Sequence, residues 1–122
     1  ERMVIATLGD GSYLFANPVA AHHAARLHDL PILVLVFNNG MWNAVRRATA
    51  TVYPDGHAAR SNAPAFTRLD ALPAFEQVCA AAGGFGERVE DPAALPGALE
   101  RAMRAVTQER RQALLNIITQ PA

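Results

Sequence analysis

Two short polar motifs, each placed directly after an apolar run, hold the residues of this sequence that could do chemistry. Asp10 lies within the Gly-Asp-Gly-Ser motif of residues 9–12, and Asn39 ends the Asn-Asn pair of residues 38–39. A carboxylate and an amide oxygen are hard ligands, which suit magnesium or calcium. Glycines let a backbone approach an anion closely, and Ser12 adds a hydroxyl and an N–H donor. Because a phosphate would repel Asp10 unless a divalent cation lay between them, the first motif predicts a metal-bridged diphosphate.

Two other anion-binding motifs do not fit the segment after the first apolar run. A dinucleotide fingerprint requires a third glycine, and Leu14 stands at that position. A P-loop requires a lysine followed by serine or threonine, and no such pair follows the run. Since two glycines alone recur often by chance, the acid between them is the informative residue.

The elements around the motifs form a predicted strand–helix–strand unit. Residues 4–8 indicate a buried parallel strand, because they are mostly apolar without alternation. A helix is expected over 18–28, with Asn17 as its N-cap, and a second strand over 32–37. A unit of this size returns the chain to the same edge of a parallel sheet. Both motifs should therefore lie at the carboxyl ends of neighbouring strands, where open α/β sheets bind ligands.

The remaining segments complete an alternation of strands and helices. We expect a short helix over 41–47, an irregular stretch over 48–69, a helix around 72–82, a strand over 85–89, a helix capped by Asp91-Pro92 and a last strand over 114–119. The predicted apolar helix faces consist of Leu72, Phe75, Val78, Cys79 and Ala82, and of Leu95, Leu99, Ala102 and Val106. This order predicts an α/β fold with an open, mostly parallel sheet and helices on both faces. An irregular stretch of such length, with turn residues at 53–57 and 61–64, is typical of a functional or mobile loop.

Length and composition describe one domain of ordinary globular character. The 122 residues are 51% apolar and 18% charged, with 11 basic and 11 acidic side chains. This balance disfavours nucleic-acid binding, and the apolar runs are too short to span a membrane. One cysteine, Cys79, excludes an internal disulfide and fits a cytoplasmic location. Because a central strand is expected by residue 3, we expect residues 1–122 to be a single domain and a piece of a longer chain.

The combination of motif and spacing resembles the signature of thiamine diphosphate enzymes. Gly9-Asp10-Gly11 is followed after 26 residues by Asn38-Asn39. The segment 40–47, Gly-Met-Trp-Asn-Ala-Val-Arg-Arg, is similar to the acetolactate synthase, benzoylformate decarboxylase and pyruvate decarboxylase group. The likeness covers essentially the whole chain, as the C-terminal diphosphate-binding domain of that family without its N-terminal part. It implies thiamine diphosphate with Mg²⁺ as cofactor and a 2-oxo acid as substrate of a decarboxylase or carboligase.

The resemblance also implies a role for each matched residue. Asp10 and Asn39 would each give a side-chain oxygen to the metal, and Met41 its backbone carbonyl; two diphosphate oxygens and a water would complete an octahedron. Asn38 would support the turn. Contacts with the cofactor would come from Gly9, Gly11, Ser12, Met41 and Trp42. For Trp42, anchoring of the loop to the core is an equal alternative. Ca²⁺ would fit the same place with little change, so the choice between the two cations stays open.

The catalytic machinery of the family has no counterpart among these residues. In the family, the glutamate that activates the aminopyrimidine lies on a pyrimidine-binding domain, usually that of a partner subunit. None of the glutamates at 1, 76, 87, 90, 100 and 109 matches it by place or context. No catalytic residue is therefore assigned, and the chemistry of this lyase or transferase would belong to the cofactor. The chain alone is expected to be inactive, and a homodimer or homotetramer is expected because the family's active site forms between subunits.

Ordinary structural alternatives stand beside these assignments. Asp10 as a cap and Asn39 as a turn former need no metal. His22 and His23 are adjacent on one helix and face different directions, so they are not a metal pair, whereas His57 lies in the irregular stretch and could approach a substrate. For the whole chain, the alternatives are a non-catalytic assembly or regulatory module of the same ancestry and, third, a nucleotide-binding domain.

Overall fold

The computed structural model describes residues 2–61 and 66–120, which contain one four-stranded sheet. Its strands are β1 (Val4–Gly9), β2 (Ile32–Asn38), β3 (Phe85–Val89) and β4 (Ala113–Ile118). Their order across the sheet is β1-β2-β4-β3, and every neighbouring pair is parallel. The register pairs Gly9 with Phe37, so β1 and β2 end side by side. The two polar motifs therefore follow neighbouring strands, as their spacing predicts.

Helices connect the strands and cover both faces of the sheet. They are α1 (Asp10–Phe15), α2 (Pro18–Leu27), α3 (Asn43–Val52), α4 (His57–Ser61), α5 (Phe75–Ala81) and α6 (Leu95–Thr107), the last preceded by a 3₁₀ turn over Pro92–Ala94. Within the described ranges, no helix has the length and apolarity that a membrane crossing requires. The alternation of elements confirms the predicted open α/β fold.

The two faces of the sheet hold separate apolar cores. On one face, Ala98 and Ala102 of α6 pack against Leu115, and on the other, Phe75 of α5 packs near Leu114. Adjacent residues of a strand point to opposite faces, so Leu114 and Leu115 belong to different cores. Each fully buried Leu or Phe contributes roughly 1.5–3 kcal/mol, so Leu33, Leu114 and Leu115 of the two central strands stabilise the fold substantially.

The predicted apolar face of α6 is only partly right. Ala98 and Ala105 are almost fully buried, whereas Leu95 and Leu99 lie at the margin of the core. The helix lies close enough to the sheet that alanines fill the contact, and the longer leucines are displaced to its sides. Similarly, α5 begins at Phe75, and Leu72 packs against the core from the preceding segment.

The prediction that the first strand is buried is wrong. β1 is an edge strand with β2 as its only neighbour in the described sheet, and its residues are exposed or half-buried. Val4 and Ile5 are 54% and 50% exposed. An apolar run without alternation is typical of a strand covered on both faces, but it does not show the position of that strand in the sheet.

The segments that follow the first motif also differ from their prediction. No helix was predicted before residue 18, but Asp10 is the first residue of α1, with Gly9 at the N-cap position. Asn17 precedes α2 as predicted, yet its φ of 54° is left-handed and its side chain makes no capping hydrogen bond. Asparagine tolerates this conformation better than most residues, which explains its presence there.

The irregular stretch predicted over 48–69 is partly helical. α3 continues to Val52, and α4 covers His57–Ser61. Neither helix buries a residue, and α4, with five residues, is too short to show a helical period. Of the turn predicted at 61–64, Ser61 ends α4, and the other three positions lie outside the described residues.

A bidentate ion pair between Glu87 of β3 and Arg101 of α6 predicts a pH-dependent contribution to stability. The Arg101 guanidinium donates to both carboxylate oxygens, at 2.9 and 2.5 Å. These hydrogen bonds hold the pKa of Glu87 below its ordinary value of 4.5. A lowered folded-state pKa stabilises the fold above the unfolded value, and the effect is lost as the pH falls through the folded one. Arg101→Gln should therefore be less stable than wild type at pH 7, with the gap closing on acidification through pH 4.5.

Chemical denaturation at a series of pH values measures this gap. Arg104→Gln, at an exposed position of the same helix, is the matched control and should show no comparable pH-dependent gap. A gap for Arg101→Gln that stayed constant from pH 7 to pH 3 would contradict the prediction.

Candidate functional site

The carboxylate of Asp10 lies where β1 and β2 end, and it is almost completely buried. Only 3% of the residue is exposed. Its Oδ2 accepts hydrogen bonds from the backbone N–H groups of Gly40 at 2.6 Å and Met41 at 3.2 Å, and its Oδ1 accepts one from Gly11 at 2.7 Å. Asp10 therefore joins the start of α1 to the turn that follows β2.

The amide oxygen of Asn39 lies beside this carboxylate. Asn39 Oδ1 accepts a hydrogen bond from the backbone N–H of Met41 at 3.1 Å, the same group that donates to Asp10 Oδ2. The two predicted ligand oxygens thus lie within 3.2 Å of one nitrogen atom. The fold brings together a carboxylate and an amide that are separated by a whole strand–helix–strand unit in sequence.

Backbone hydrogen bonds hold the turn that contains Asn39, Gly40 and Met41. Gly40 has a φ of +69°, a left-handed conformation that favours glycine. Its carbonyl accepts from Leu69 N at 2.8 Å, and Trp42 N donates to the carbonyl of Thr67 at 2.8 Å. The carbonyl of Met41, the third predicted ligand, accepts from Asn43 N at 2.9 Å and retains a second lone pair. The turn is therefore formed and pinned by the segment around residue 68.

Trp42 packs its indole against Gly11. A Cβ atom at residue 11 would lie 2.5 Å from the indole Cδ1, so only glycine fits beneath the ring. Nothing lies within 4 Å of the corresponding point at Gly9, which leaves that side of the motif open. The indole Nε1 of Trp42 and the Oδ1 of Asn43 are buried without a hydrogen-bond partner. A donor and an acceptor are thus available beside the Gly-Asp-Gly segment.

All the predicted site residues line one open cavity of about 550 Å³; they are Gly9, Asp10, Gly11, Ser12, Asn39, Met41 and Trp42. Further lining residues that sequence reasoning did not identify include Phe37, Asn43 and Thr119. Asn43 follows directly on the recognised motif, whereas Thr119 comes from the end of β4, and only the strand order brings it here. Polar and apolar residues both line the cavity, as is typical of a small-molecule site.

The donor set fits a hard divalent cation bound together with an anion. Among residues 2–61 and 66–120 there is no group of three or more His, Cys, Asp or Glu side chains that could hold a metal. A cation here would bind one carboxylate, one amide oxygen and a backbone carbonyl. With so few protein oxygens the coordination of Mg²⁺ would be completed by water and phosphate oxygens, as is usual for this ion.

Other candidate residues lie away from the cavity. His22 is buried, with Nε2 at 2.8 Å from the Tyr13 hydroxyl and Nδ1 at 2.7 Å from Gln112 Oε1, so it joins α1 and α2 to the start of β4. His57 is exposed at the start of α4 and does not line the cavity. Burial raises the pKa of the Cys79 thiol to about 12, which agrees with its predicted place in the core.

Known proteins of similar fold and sequence define the class of this chain. It superposes over its whole length on a thiamine diphosphate-dependent 4-hydroxybenzoylformate decarboxylase of Rhodococcus jostii RHA1, with a TM-score of 0.80, 20% identity and 20% of that chain covered. It is 33% identical to a 2-hydroxyacyl-CoA lyase of Oryza sativa, over 99% of this chain and 19% of the relative. An acetolactate synthase large subunit of Mycobacterium tuberculosis is 29% identical over all of this chain and 20% of its own length.

The family follows from a direct match of sequence pattern. Residues 1–117 match the C-terminal TPP binding domain of thiamine pyrophosphate enzymes, and the chain belongs to that family. It spans about a fifth of the length of the relatives named above. The expected resemblance is therefore confirmed at the level of the domain and its cofactor class.

Proposed function

We propose that this chain holds the metal–diphosphate end of thiamine diphosphate within a 2-oxo-acid decarboxylase or carboligase of acetolactate synthase type. The observation that carries the proposal is the convergence of Asp10 Oδ2 and Asn39 Oδ1 on the Met41 N–H. Membership of the TPP-binding family supports the cofactor, and the hard oxygen donors support Mg²⁺, with Ca²⁺ as the alternative.

The predicted ligand and cofactor-binding residues have distinct roles in this proposal. Asp10 and Asn39 give side-chain oxygens to the cation, and Met41 gives its carbonyl. The N–H and hydroxyl groups of Ser12 bind the diphosphate, and the unpartnered Nε1 of Trp42 is a further donor. Gly11 lets the backbone approach the diphosphate, while its own N–H donates to Asp10 Oδ1. When bound, thiamine diphosphate supplies a carbanion nucleophile and an electron sink. The chain's own contribution is to neutralise and orient the diphosphate.

The rest of the catalytic apparatus belongs to other parts of the protein in this proposal. Residues 1–122 form a single domain of a longer chain, and a pyrimidine-binding domain of the same protein or of a partner subunit completes the site. The chain's coverage of about a fifth of its relatives supports this division. The whole protein is then a cytoplasmic homodimer or homotetramer, and these 122 residues alone do not turn over substrate.

One observation favours the alternative of a non-catalytic module. The Asp10 carboxylate already accepts three backbone N–H hydrogen bonds, so the turn is satisfied without a cation. In that alternative, Asp10 is a structural cap, and the domain serves assembly or regulation.

Calorimetric titration of the native polypeptide with thiamine diphosphate separates the two proposals. We expect binding in Mg²⁺ or Ca²⁺, loss of binding in EDTA, and much weaker binding of thiamine, which lacks the diphosphate. ATP and NAD should not compete. Binding that is absent in Mg²⁺, or unchanged by EDTA, would contradict the cofactor proposal and favour the module; competition by ATP or NAD would favour a nucleotide-binding domain.

A further inference from the structure

A series of hydrogen-bonded polar side chains, most of them buried, leads from α5 to the turn at Gly40. Asn116, in the middle of β4, is completely buried, and Asn38, at the end of β2, is 7% exposed. Asn116 Nδ2 donates to Glu76 Oε2 at 2.8 Å, and Asn38 Nδ2 donates to Asn116 Oδ1 at 3.1 Å. The Oδ1 of Asn38 accepts from the Gly40 N–H at 3.1 Å. Gly40 N is also the closest donor to the Asp10 carboxylate.

The orientation of both amides follows from the groups at the two ends of this series, Glu76 and the Gly40 N–H. A carboxylate offers only acceptors, so the Asn116 amide must turn its NH₂ group to Glu76 and its oxygen to Asn38. That oxygen in turn requires the NH₂ group of Asn38, which leaves the Asn38 oxygen for Gly40 N–H. If either amide were reversed, two donors or two acceptors would face each other in a buried place, at a cost of about 1–3 kcal/mol. Glu76 and the Gly40 N–H therefore impose the same orientation on Asn116 and Asn38.

We propose that Glu76 and Asn116 are positioning residues for the cation site, acting through Asn38 on the Gly40 and Met41 N–H groups. The inference rests on the proposed function, because it assigns these residues to the site formed by Asp10 and Asn39. With Asn38 held in one orientation, Gly40 N–H is shared between Asn38 Oδ1 and Asp10 Oδ2. The Asp10 carboxylate then keeps its orientation beside the amide oxygen of Asn39.

Two substitutions of similar size at Glu76 test this proposal. Glu76→Gln keeps an acceptor for the Asn116 NH₂ group, whereas Glu76→Met removes it. In the native polypeptide, Glu76→Met should raise the Mg²⁺ concentration for half-maximal binding of thiamine diphosphate by roughly three- to tenfold. This is less than the roughly tenfold or more expected for a direct partner of a metal ligand, because Glu76 acts through Asn116 and Asn38. Glu76→Gln should stay within about twofold of wild type, since the hydrogen bond survives.

Amide hydrogen exchange without metal gives a readout that does not depend on the cofactor. The N–H groups of Gly40 and Met41 should exchange faster in Glu76→Met than in Glu76→Gln, while amides of β3 serve as the reference for overall stability. Should Glu76→Met fail to fold, Asn116→Leu removes the same link from within β4 and should give the same two effects.

The outcomes distinguish this inference from the proposed function. If wild type binds the cofactor but Glu76→Met and Glu76→Gln behave alike in both measurements, the positioning role is overturned and the proposed function stands. If wild type shows no Mg²⁺-dependent binding, the proposed function fails, and exchange at Gly40 and Met41 alone decides the positioning role. Equal exchange rates in the two variants would then overturn it.

Discussion

Asp10→Asn is expected to weaken Mg²⁺-dependent binding of thiamine diphosphate by on the order of 100-fold or more, since it removes the one charged ligand of the proposed cation site. It also disturbs the turn, because an amide has one acceptor oxygen, and its NH₂ group must face either the Gly11 N–H or the pair from Gly40 and Met41. Leaving such a buried group unpaired costs about 1–3 kcal/mol. Calorimetry measures the first effect, and chemical denaturation without cofactor measures the second.

Asp29→Asn is the matched control for this substitution. Asp29 is exposed, and its φ of 48° is a conformation that asparagine also tolerates. We expect cofactor binding and stability close to wild type. If Asp10→Asn lost stability but bound the cofactor as wild type does, Asp10 would be a structural cap, and the non-catalytic module would be favoured.

Gly86→Ala is expected to cause the largest loss of stability of any single-methyl change in the sheet. A Cβ atom at residue 86 would lie 1.9 Å from the carbonyl oxygen of Glu76 and 2.7 Å from its carbon. These are backbone atoms of the first turn of α5, so they cannot rotate away, and the helix that carries Phe75 and Cys79 into the core must shift. We expect a loss of about 3 kcal/mol, at the upper end of overpacking effects, measured by urea denaturation.

Gly97→Ala is the control, for which we expect a change in folding stability of opposite sign. At Gly97, in the first turn of α6, the nearest atom to an added Cβ is the Arg101 Nη1 at 3.3 Å, at the end of a flexible side chain. Replacing a helical glycine by alanine should stabilise the fold by roughly 0.5–1 kcal/mol. A loss below about 1 kcal/mol for Gly86→Ala would contradict the close approach of α5 to β3.

Sequence reasoning predicted the positions of the two polar motifs better than it predicted the elements around them. Strand ends are predictable because apolar runs are, and parallel strands joined by one helix end at the same edge of a sheet. That is enough to expect Asp10 and Asn39 together. Only the first part of α3 was predicted, and α4 was missed because its five residues are too few to show a helical period.

The reasons for individual glycines and asparagines required coordinates. Gly11 was interpreted as room for an anion, but the atoms that exclude a side chain there belong to Trp42. Nothing in the sequence around Asn116 indicates that it meets Asn38, which lies 78 residues earlier. Such contacts depend on strand order and on which face each residue occupies.

The sequence by itself determined the parallel α/β class, the ends of β1 and β2 and the donor types at the site, because periodicity and spacing are local properties of the chain. Only the tertiary structure decided that β1 is an edge strand, that α5 lies in backbone contact with β3, and that Glu76 and Asn116 are linked by hydrogen bonds to the turn at Gly40. These features depend on how β4 inserts between β2 and β3, and that non-local pairing is set by the packing of the whole sheet.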